Sequence, residues 1–236
     1  MNITLGNRMK MYETQTKNLL LNRTPVIIRL DGKAFHTYTR GLEKPFDEEF
    51  VKIMQETMLY LCKNIQNCVF GYTQSDEITL VLVDYEKINT DTWFGNEVQK
   101  IVSISASMAT LKFNELAYDV WEDKRFKAMF DSRAFNVPKE EVCNNILWRQ
   151  QDATRNSINS LAQSLYSFKE LQGIKCKDLQ NKMLIEKDVN WNDLPTYLKR
   201  GSACKKDEDN KWYVDLNMPI LTQDRDYIDS LIFVED

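Results

Sequence analysis

The chain lacks the features that mark membrane, secreted and disulfide-bonded proteins. No apolar stretch approaches the roughly 18 residues that a membrane-spanning helix needs. The amino terminus has no hydrophobic region typical of a signal peptide. The five cysteines are odd in number, widely scattered and never spaced as a Cys-x-x-Cys pair, which favours reduced thiols over a zinc site or a disulfide framework. We therefore expect a cytoplasmic protein that does not act at a membrane.

The chain also lacks internal repeats and linkers rich in proline, glycine or serine, and His36 is its only histidine. Its 236 residues, of which 43% are hydrophobic, are enough to bury the core of one large domain or of a domain with an appendage. The net charge of −4 argues against a protein that coats nucleic acid by bulk electrostatics. Basic residues do cluster locally, so a basic surface around a site is compatible with the negative net charge.

Two short acidic motifs carry most of the functional information. Asp31-Gly32 follows the apolar run 26–30, and Ser75-Asp76-Glu77 leads into the apolar run 78–83. Both runs are typical of buried strands, and carboxylates at strand ends cost free energy unless a cation or a donor compensates them. Mg²⁺ prefers carboxylate and carbonyl oxygens, and two such ions clamp the attacking and leaving oxygens of a phosphoryl transfer.

The two motifs therefore predict a two-metal site for nucleotidyl transfer. Its predicted catalytic residues are Asp31, Asp76 and Glu77. We expect Asp31 and Asp76 to bridge both Mg²⁺ ions and Gly32 to offer its carbonyl oxygen as a further ligand. Glu77 is expected either to bind a metal directly or to act indirectly, by orienting the residues that bind it. The alternative is that both motifs are ordinary turns after strands, a common use of Asp and Gly.

Hydrophobic periodicity predicts the order strand, helix, strand, strand, helix, strand. The predicted strands cover residues 26–31, 69–73, 78–83 and 127–137. The first helix is expected to start after Asp47, and its predicted buried stripe is Phe50, Ile53, Met54, Thr57, Met58 and Leu61. The second is expected to run over about 96–116, with the stripe Ile101, Ile104, Ser105, Met108 and Leu111. This order is typical of an α+β, ferredoxin-like fold, βαββαβ, which is the topology of polymerase palms. It would place Asp31 and Asp76 side by side.

The rest of the chain has a different pattern. Helices are predicted over about 140–171 and 176–184, and the segment 211–216 is β-like. We therefore predict a catalytic palm over residues 1–137 and a mainly helical C-terminal part over residues 138–236 that packs on it.

Five longer motifs stand in a fixed order along the chain. They are Arg29-Leu30-Asp31-Gly32-Lys33-Ala34-Phe35-His36, Glu43-Lys44-Pro45, Tyr72-Thr73-Gln74-Ser75-Asp76-Glu77, Phe130-Asp131-Ser132-Arg133 and Trp148-Arg149-Gln150. In order and spacing they resemble the tRNA(His) guanylyltransferase family and its guanylyltransferase-like relatives, over nearly the whole chain. The resemblance implies a palm enzyme that adds nucleotides to the 5′ end of tRNA, with two Mg²⁺ ions as cofactors. It also implies a homotetramer, built as a dimer of dimers.

By the same resemblance, ATP or GTP first activates a 5′-monophosphate, and the 3′-hydroxyl of an incoming nucleoside triphosphate then attacks it. The implied nucleotide-binding residues are Asp31, Gly32, Lys33, Ala34, Phe35, His36, Lys44, Ser75, Asp76 and Lys100. Lys44 matches a loop lysine of the activation step and Lys100 a helix lysine that faces phosphates. Each lysine has the alternative of being solvated surface charge. His36 is either a nucleotide contact or a semi-buried side chain.

The sequence differs from the tRNA(His)-specific members of the family at two places, and these differences indicate which branch of the family it resembles. Guanylyltransferases specific for tRNA(His) carry a His-Ile-Asn-Asn stretch where this chain has Thr154-Arg155-Asn156-Ser157, and they tend to have Asn where it has Phe46. Both differences favour the guanylyltransferase-like branch, which resembles a template-dependent repair polymerase for 5′-truncated tRNA. RNA-phosphate contacts are then predicted, mainly in the C-terminal part, for Arg133, Arg149, Arg155, Lys199 and Arg200. For Arg149 the alternative is an ion pair with a carboxylate of the helical C-terminal part.

Three other functions remain open from the sequence. The first is a tRNA(His) guanylyltransferase that adds G at position −1. The second is a diguanylate-type cyclase, which uses the same palm but usually has Gly-Gly where this chain has Gln74-Ser75. The third is a non-catalytic RNA-binding module, for which Asp31→Ala and Asp76→Ala would leave function intact.

Overall fold

The computed structural model describes residues 3–124 and 126–234 of the chain. Its strands are β1 (Val26–Gly32), β2 (Cys68–Gln74), β3 (Glu77–Leu82), β4 (Phe130–Asn136), β5 (Ser202–Lys206) and β6 (Trp212–Asp215). Its helices are α1 (Leu5–Glu13), α2 (Phe35–Tyr38), α3 (Glu48–Asn64), α4 (Val98–Ala117), α5 (Lys139–Leu165), α6 (Phe168–Leu171), α7 (Cys176–Lys187), α8 (Thr196–Arg200) and α9 (Asp226–Asp229). Within the described ranges, none of these helices has the length and apolar character needed to cross a membrane.

One antiparallel sheet of six strands forms the centre of the fold, in the order β4-β1-β3-β2-β5-β6. The first four strands and the helices α3 and α4 follow the order strand, helix, strand, strand, helix, strand. The predicted α+β, ferredoxin-like palm is therefore confirmed. β1 lies between β3 and β4, and this register sets Asp31 opposite both Glu77 and Asp131.

The alternation of side chains along the strands divides the core into two layers. Val26, Ile28 and Leu30 pack on one face of the sheet, in the layer that also contains apolar residues of α3 and α4. Ile27 packs on the other face, with apolar residues of α5 and α9. Because side chains alternate along a strand, Asp31 lies on the same face as Ile27, at the end of β1. The Asp31 side chain thus lies on the α5 side of the sheet.

The helix α3 forms as its sequence predicts. The carboxylate of Asp47 accepts a hydrogen bond from the Phe50 N–H at 2.9 Å, which caps the first turn. The whole predicted apolar stripe is buried: Phe50, Ile53, Met54, Thr57, Met58 and Leu61. This helix therefore owes both its start and its buried face to local signals.

The stripe predicted for α4 is partly wrong. Ile101 and Ser105 are buried as expected, but Ile104 is 40% exposed and Leu111 is 69% exposed. The helix instead buries Ala109, Phe113 and Ala117. The Ser105 hydroxyl lies 2.8 Å from the Ser132 hydroxyl on β4. Small residues such as Ser105 allow this close approach to the sheet, so the buried face differs from the predicted stripe at Ile104 and Leu111.

The C-terminal part supplies two strands as well as helices. β6 falls within the predicted β-like segment, whereas β5, with its two lysines, was not predicted. β5 pairs with β2 over residues 71–73, so the sheet continues beyond residue 137. A smaller apolar cluster joins the end of α5 to α7 and includes Ile158, Leu161, Met183 and Trp191.

Candidate active site

The two acidic motifs meet at one end of the sheet. The N–H of Gly32, the last residue of β1, donates a hydrogen bond to the carbonyl oxygen of Asp76 at 3.1 Å. Asp76 and Ser75 form the two-residue turn between β2 and β3, and Ser75 has a left-handed φ of +50°. The fold therefore brings Asp31-Gly32 and Asp76 together, whereas Glu77 is the first residue of β3 rather than part of the turn.

Several carboxylates crowd this end of the sheet. Burial raises the pKa of Asp31 above its usual value, and the neighbouring charges of Glu77 and Asp131 raise it further. Burial likewise raises the pKa of Asp76, although a hydrogen bond of 3.0 Å from the Ser75 hydroxyl acts in the opposite direction. The ionised forms of both residues are thus unfavourable unless positive charge is supplied nearby.

The donor set fits a hard divalent cation. Among the ion pairs of residues 3–124 and 126–234, none involves Asp31 or Asp76. The same residues contain no cluster of three or more His, Cys, Asp or Glu side chains that would hold a metal by themselves. Mg²⁺ typically uses one or two carboxylates and completes its coordination with water and substrate phosphates. Asp31, Asp76 and the carbonyl of Gly32 are the groups that would hold it.

A cavity of about 330 Å³ is lined in part by Asp76, whereas Asp31 is not among its lining residues. Its lining consists of Gly32, Ala34, Phe35, His36, Thr39, Phe50, Ser75 and Asp76. Most of the segment predicted to hold the nucleotide therefore surrounds one space, which we call the cradle. Lys33 is not part of its lining, and its N–H donates to the Met129 carbonyl at 2.8 Å.

The backbone of the cradle presents free donors. Ala34 has a left-handed φ of +56° and precedes the short helix α2. Within the described structure, the N–H groups of residues 34–36 have no hydrogen-bond partner. Successive unpaired N–H groups at such a bend form an anion-binding concavity. His36 is exposed rather than semi-buried, and its ring nitrogen lies 3.0 Å from the Thr37 hydroxyl.

Gly32 is required by the close approach of an aromatic ring. A Cβ atom at this position would lie 2.4 Å from the ring of Phe35. That ring is 2% exposed and packs in a cluster with Tyr38, Phe50, Phe113 and Phe130. Phe35 thus anchors the cradle in the core.

Lys44 lies at a neighbouring cavity of about 290 Å³. Thr39, Phe50 and Ser75 line both this cavity and the cradle. Lys44 is exposed at its edge, and Phe46 also contributes to the lining. The predicted activation lysine is therefore adjacent to the cradle without being part of it.

Lys100 lies away from the site, contrary to the sequence prediction. Its ammonium group pairs with Glu97 at 3.3 Å near the start of α4. The part of α4 beside the active end of the sheet is marked by Thr110, whose hydroxyl accepts the N–H of Phe130. Lys100 is roughly 15 Å from Thr110 along the helix axis. The periodicity of the sequence shows on which face of α4 Lys100 lies. It does not show which end of α4 is next to the site.

Glu77 is held by basic side chains. One carboxylate oxygen accepts a hydrogen bond from Arg29, the other accepts one from Arg149, and the Gln74 amide donates to the latter oxygen at 3.1 Å. The Glu77 side chain is only 15% exposed. Of the two predicted roles for Glu77, this arrangement favours the indirect one over metal ligation.

Two of the predicted RNA contacts are buried. The Arg149 side chain is 5% exposed and pairs with Glu77 and Asp152, which agrees with the ion-pair alternative. The Lys199 ammonium donates to the Asn192 carbonyl, and burial lowers its pKa. Because neither head group is available at the surface, their predicted RNA contacts do not fit the structure.

The other predicted RNA contacts are more accessible. The side chains of Arg133 and Arg155 are 54% and 52% exposed, and Arg200 is partly exposed. Arg155 pairs with Asp152 at 2.7 Å, and Arg133 lies 3.4 Å from Asp131. Exposed ion pairs of this kind are weak, so phosphate groups can compete for these arginines.

Sequence reasoning assigned no site role to Arg29, Asp131 or Trp148, although all three belong to the quoted motifs. Arg29 shares the face of Asp31 on β1, a relation that the period of two would have revealed. Only the fold shows that Arg29, Arg149 and Trp148 are neighbours. The guanidinium carbons of Arg29 and Arg149 lie 5.5 and 4.5 Å from the centre of the Trp148 ring.

Comparison with known proteins agrees with this geometry. The family model of Thg1, tRNAHis guanylyltransferase, matches residues 6–138. A probable tRNA(His) guanylyltransferase of Dictyostelium discoideum is 28% identical, over 80% of this chain and 78% of its own length. The structure of a bacterial Thg1-like protein in complex with ATP is 45% identical, with a TM-score of 0.94 over 98% of this chain and all of that one. A bacterial Thg1-like protein in complex with GTP is 40% identical, with a TM-score of 0.84 over the same shares. The chain therefore belongs to the tRNA(His) guanylyltransferase family, a family of nucleotidyltransferases that act on tRNA.

Proposed function

We propose that this protein is a template-dependent nucleotidyltransferase that adds nucleotides in the 3′-to-5′ direction and repairs tRNA truncated at its 5′ end. The observation that carries the proposal is the hydrogen-bonded junction of Asp31-Gly32 with Asp76 beside the cradle. It combines candidate metal ligands with backbone donors for a triphosphate, as nucleotidyl transfer requires.

The repair branch of the family is favoured over addition of G to tRNA(His) by two residues. Thr154 stands where the tRNA(His)-specific enzymes carry the histidine of the His-Ile-Asn-Asn stretch, and its hydroxyl donates to the Gln150 carbonyl within α5. Phe46, in place of their asparagine, lines the cavity that holds Lys44. The higher identity to the bacterial Thg1-like protein, 45% against 28%, supports the same choice.

We propose that Asp31, Asp76 and the Gly32 carbonyl hold two Mg²⁺ ions together with the phosphates of the substrate. When bound, Mg²⁺ supplies charge neutralisation on phosphate oxygens and a lowered pKa of the attacking hydroxyl. The free N–H groups of residues 34–36 orient the triphosphate, and the Ser75 hydroxyl fixes the Asp76 carboxylate. No side-chain general base is needed in this scheme.

The reaction takes place in two transfers. In the first, a 5′-phosphate oxygen of the RNA attacks the α-phosphate of ATP or GTP, which forms a 5′-to-5′ pyrophosphate linkage and releases pyrophosphate. In the second, the 3′-hydroxyl of the incoming nucleoside triphosphate attacks the RNA 5′-phosphate and releases the nucleoside monophosphate. Lys44 neutralises phosphate charge in the first transfer. Related bacterial proteins are in complex with ATP and with GTP, which supports this use of nucleotides.

Exposed arginines are proposed to hold the RNA backbone. Arg133, Arg155 and Arg200 would contact phosphates, which positions RNA without specifying its sequence. Base choice would come from Watson-Crick pairing with the opposite strand of the acceptor stem. This division fits a chain whose net charge is −4. The predicted homotetramer, a dimer of dimers, stays a prediction that sedimentation analysis tests.

The experiment that tests the proposal uses four tRNA substrates with a 5′-monophosphate. Each lacks its first nucleotide and carries a different base at the opposing position of the acceptor stem. A repair polymerase adds the complement in each case, with Mg²⁺, ATP and all four nucleotides present. Addition of G to every substrate would indicate a tRNA(His)-type guanylyltransferase. Cyclic dinucleotide formed from GTP alone would indicate a cyclase, and no reaction at all would contradict catalysis.

A further inference from the structure

Arg149 connects the long helix α5 to the strand that follows the active-site turn. Its guanidinium group pairs with Glu77 at the start of β3 and with Asp152 at 2.8 Å one turn along α5. It also lies 4.5 Å from the centre of the Trp148 ring. The second carboxylate oxygen of Glu77 pairs with Arg29 on β1. Glu77 is therefore held from α5 on one side and from β1 on the other.

Stability alone is a poor explanation for this cluster. Arg149, Arg29 and Glu77 have side chains that are only 5%, 16% and 15% exposed. Within the described residues, the Nε atoms of both arginines are buried without a hydrogen-bond partner. Buried ion pairs often contribute less stability than apolar packing of the same volume, and unsatisfied polar atoms add a further cost. A role in fixing geometry accounts better for the arrangement.

The geometry that Arg149 fixes is that of the turn carrying Asp76. Glu77 follows Asp76 directly, so its side-chain contacts limit the movement of the turn. The direct tie of the turn to β1 is the hydrogen bond from Gly32 to the Asp76 carbonyl. Loss of Arg149 would also leave more of the Glu77 charge uncompensated beside Asp31, which is its partner in the sheet.

We propose that Arg149 is a positioning residue of the active site, acting through Glu77 to keep Asp76 in place against Asp31 and Gly32. This inference rests on the proposed nucleotidyl transfer. It assigns Arg149 to the catalytic end of the sheet rather than to RNA binding. It also predicts that the effects of Arg149 and Glu77 substitutions on turnover are coupled, because Arg149 acts on the turn through Glu77.

A double-mutant cycle tests the proposal. Arg149→Met retains aliphatic volume, and Glu77→Gln retains shape while removing the charge. Each single variant is expected to lower kcat about 10- to 100-fold and to change the KM for tRNA less than about 3-fold. The kcat of the double variant is expected to lie within about 3-fold of the kcat of the less active single variant. Arg149→Lys should recover part of kcat, since a lysine keeps the charge but not the forked geometry.

Asp152→Asn is the matched control, because Asp152 is the other carboxylate partner of Arg149. It should keep kcat within about 2-fold of the wild type if Arg149 acts through Glu77. Losses that multiply in the double variant, or a loss in Asp152→Asn equal to that in Arg149→Met, would overturn the proposal. A raised KM for tRNA with unchanged kcat would show that Arg149 is an RNA contact instead.

A second readout does not depend on turnover. Hydrogen exchange measured on the metal-free protein should become faster at residues 74–78 in Arg149→Met, while residues 142–146 of α5 keep their protection. Unchanged exchange at the turn would overturn the positioning role. This measurement needs no enzymatic activity, so it can fail or succeed independently of the proposed function. The proposed function is tested separately, by the activity of the wild-type enzyme. If Arg149→Met does not fold, Arg149→Lys provides the same comparison.

Discussion

The N–H of Gly32 donates to the carbonyl oxygen of Asp76 at 3.1 Å, and this hydrogen bond joins the end of β1 to the turn between β2 and β3. As a result, two carboxylates from distant parts of the chain share one site, although both are made less acidic by burial and by like charges around them. The site therefore carries negative charge that its surroundings do not neutralise, which suits the binding of divalent cations.

Gly32→Ala is expected to disrupt the cradle. A Cβ atom at this position meets the buried ring of Phe35 at 2.4 Å, so the ring or β1 has to shift. We expect a loss of about 1–3 kcal/mol in the free energy of unfolding, as for other overpacked cores, together with a large loss of activity. Chemical denaturation measures the first effect. Gly6→Ala is the matched control, since nothing lies within 4 Å of a Cβ there; an unchanged stability of Gly32→Ala would contradict the close contact.

Asp76→Asn is expected to stabilise the metal-free protein at neutral pH. Because the folded state raises the pKa of Asp76 above its ordinary value of 3.8, the ionised carboxylate costs stability. This cost appears as pH rises from 3.8 through the raised pKa. Asparagine stays neutral and accepts the same hydrogen bond from Ser75. The melting temperature in EDTA should rise by a few degrees at pH 7.5 and by less near pH 4.

The same variant should lose the stabilisation that Mg²⁺ with ATP gives to the wild type, because one proposed ligand is missing. Thermal melts with and without Mg²⁺ and ATP measure this difference. A drop in melting temperature at pH 7.5 in EDTA would show that the ionised carboxylate is well compensated within the protein, contrary to the account.

Lys44→Ala is expected to impair the activation transfer selectively. With a 5′-monophosphorylated RNA the rate should fall about 10- to 100-fold, the loss expected when one positive charge no longer neutralises phosphate. An RNA that already carries a 5′-triphosphate bypasses activation and should be extended nearly normally. Lys100→Ala is the control, because Lys100 is 57% exposed and pairs with Glu97 outside the site. Equal losses with both RNAs would assign Lys44 to the second transfer.

Arg155→Ala is expected to weaken tRNA binding without changing turnover. The side chain is half exposed, and a phosphate can replace its partly buried partner Asp152. The dissociation constant should rise by several-fold, and the slope of its logarithm against the logarithm of salt concentration should fall by about 1. Fluorescence titration at several salt concentrations measures both quantities. Lys199→Ala should instead reduce stability, since its ammonium group is buried against the Asn192 carbonyl.

The fold was largely predictable because its signals are local. The N-cap at Asp47, the stripe of α3 and the apolar runs of β1 and β3 are each visible in a short stretch of sequence. Together they define the βαββαβ order. That order then predicts the meeting of Asp31 and Asp76. The buried face of α4 was less predictable, because close packing of Ser105 against Ser132 outweighs the size of Leu111.

The site was predictable only in part, for physical reasons that particular residues show. Asp31, Gly32, Ser75 and Asp76 depend on strand ends and a turn, which sequence reveals. The pairing of Arg149 with Glu77 joins α5 to β3, and a charged residue in a helical pattern gives no sign of being buried. Lys100 likewise has the right residue type on the right helix, but it lies toward the other end of the sheet.

The most direct test of the account is to ask which end of the RNA gains a nucleotide. A 5′-monophosphorylated tRNA that lacks its first nucleotide, labelled at its 3′ end, is incubated with Mg²⁺, ATP and the complementary nucleotide. The products are mapped by sequencing, and Asp31→Ala and Asp76→Ala variants with unchanged folding are compared. We expect one added nucleotide at the 5′ end with the wild type and a rate at least about 10³-fold lower in both variants. Extension at the 3′ end, no extension, or full activity of either variant would contradict this expectation.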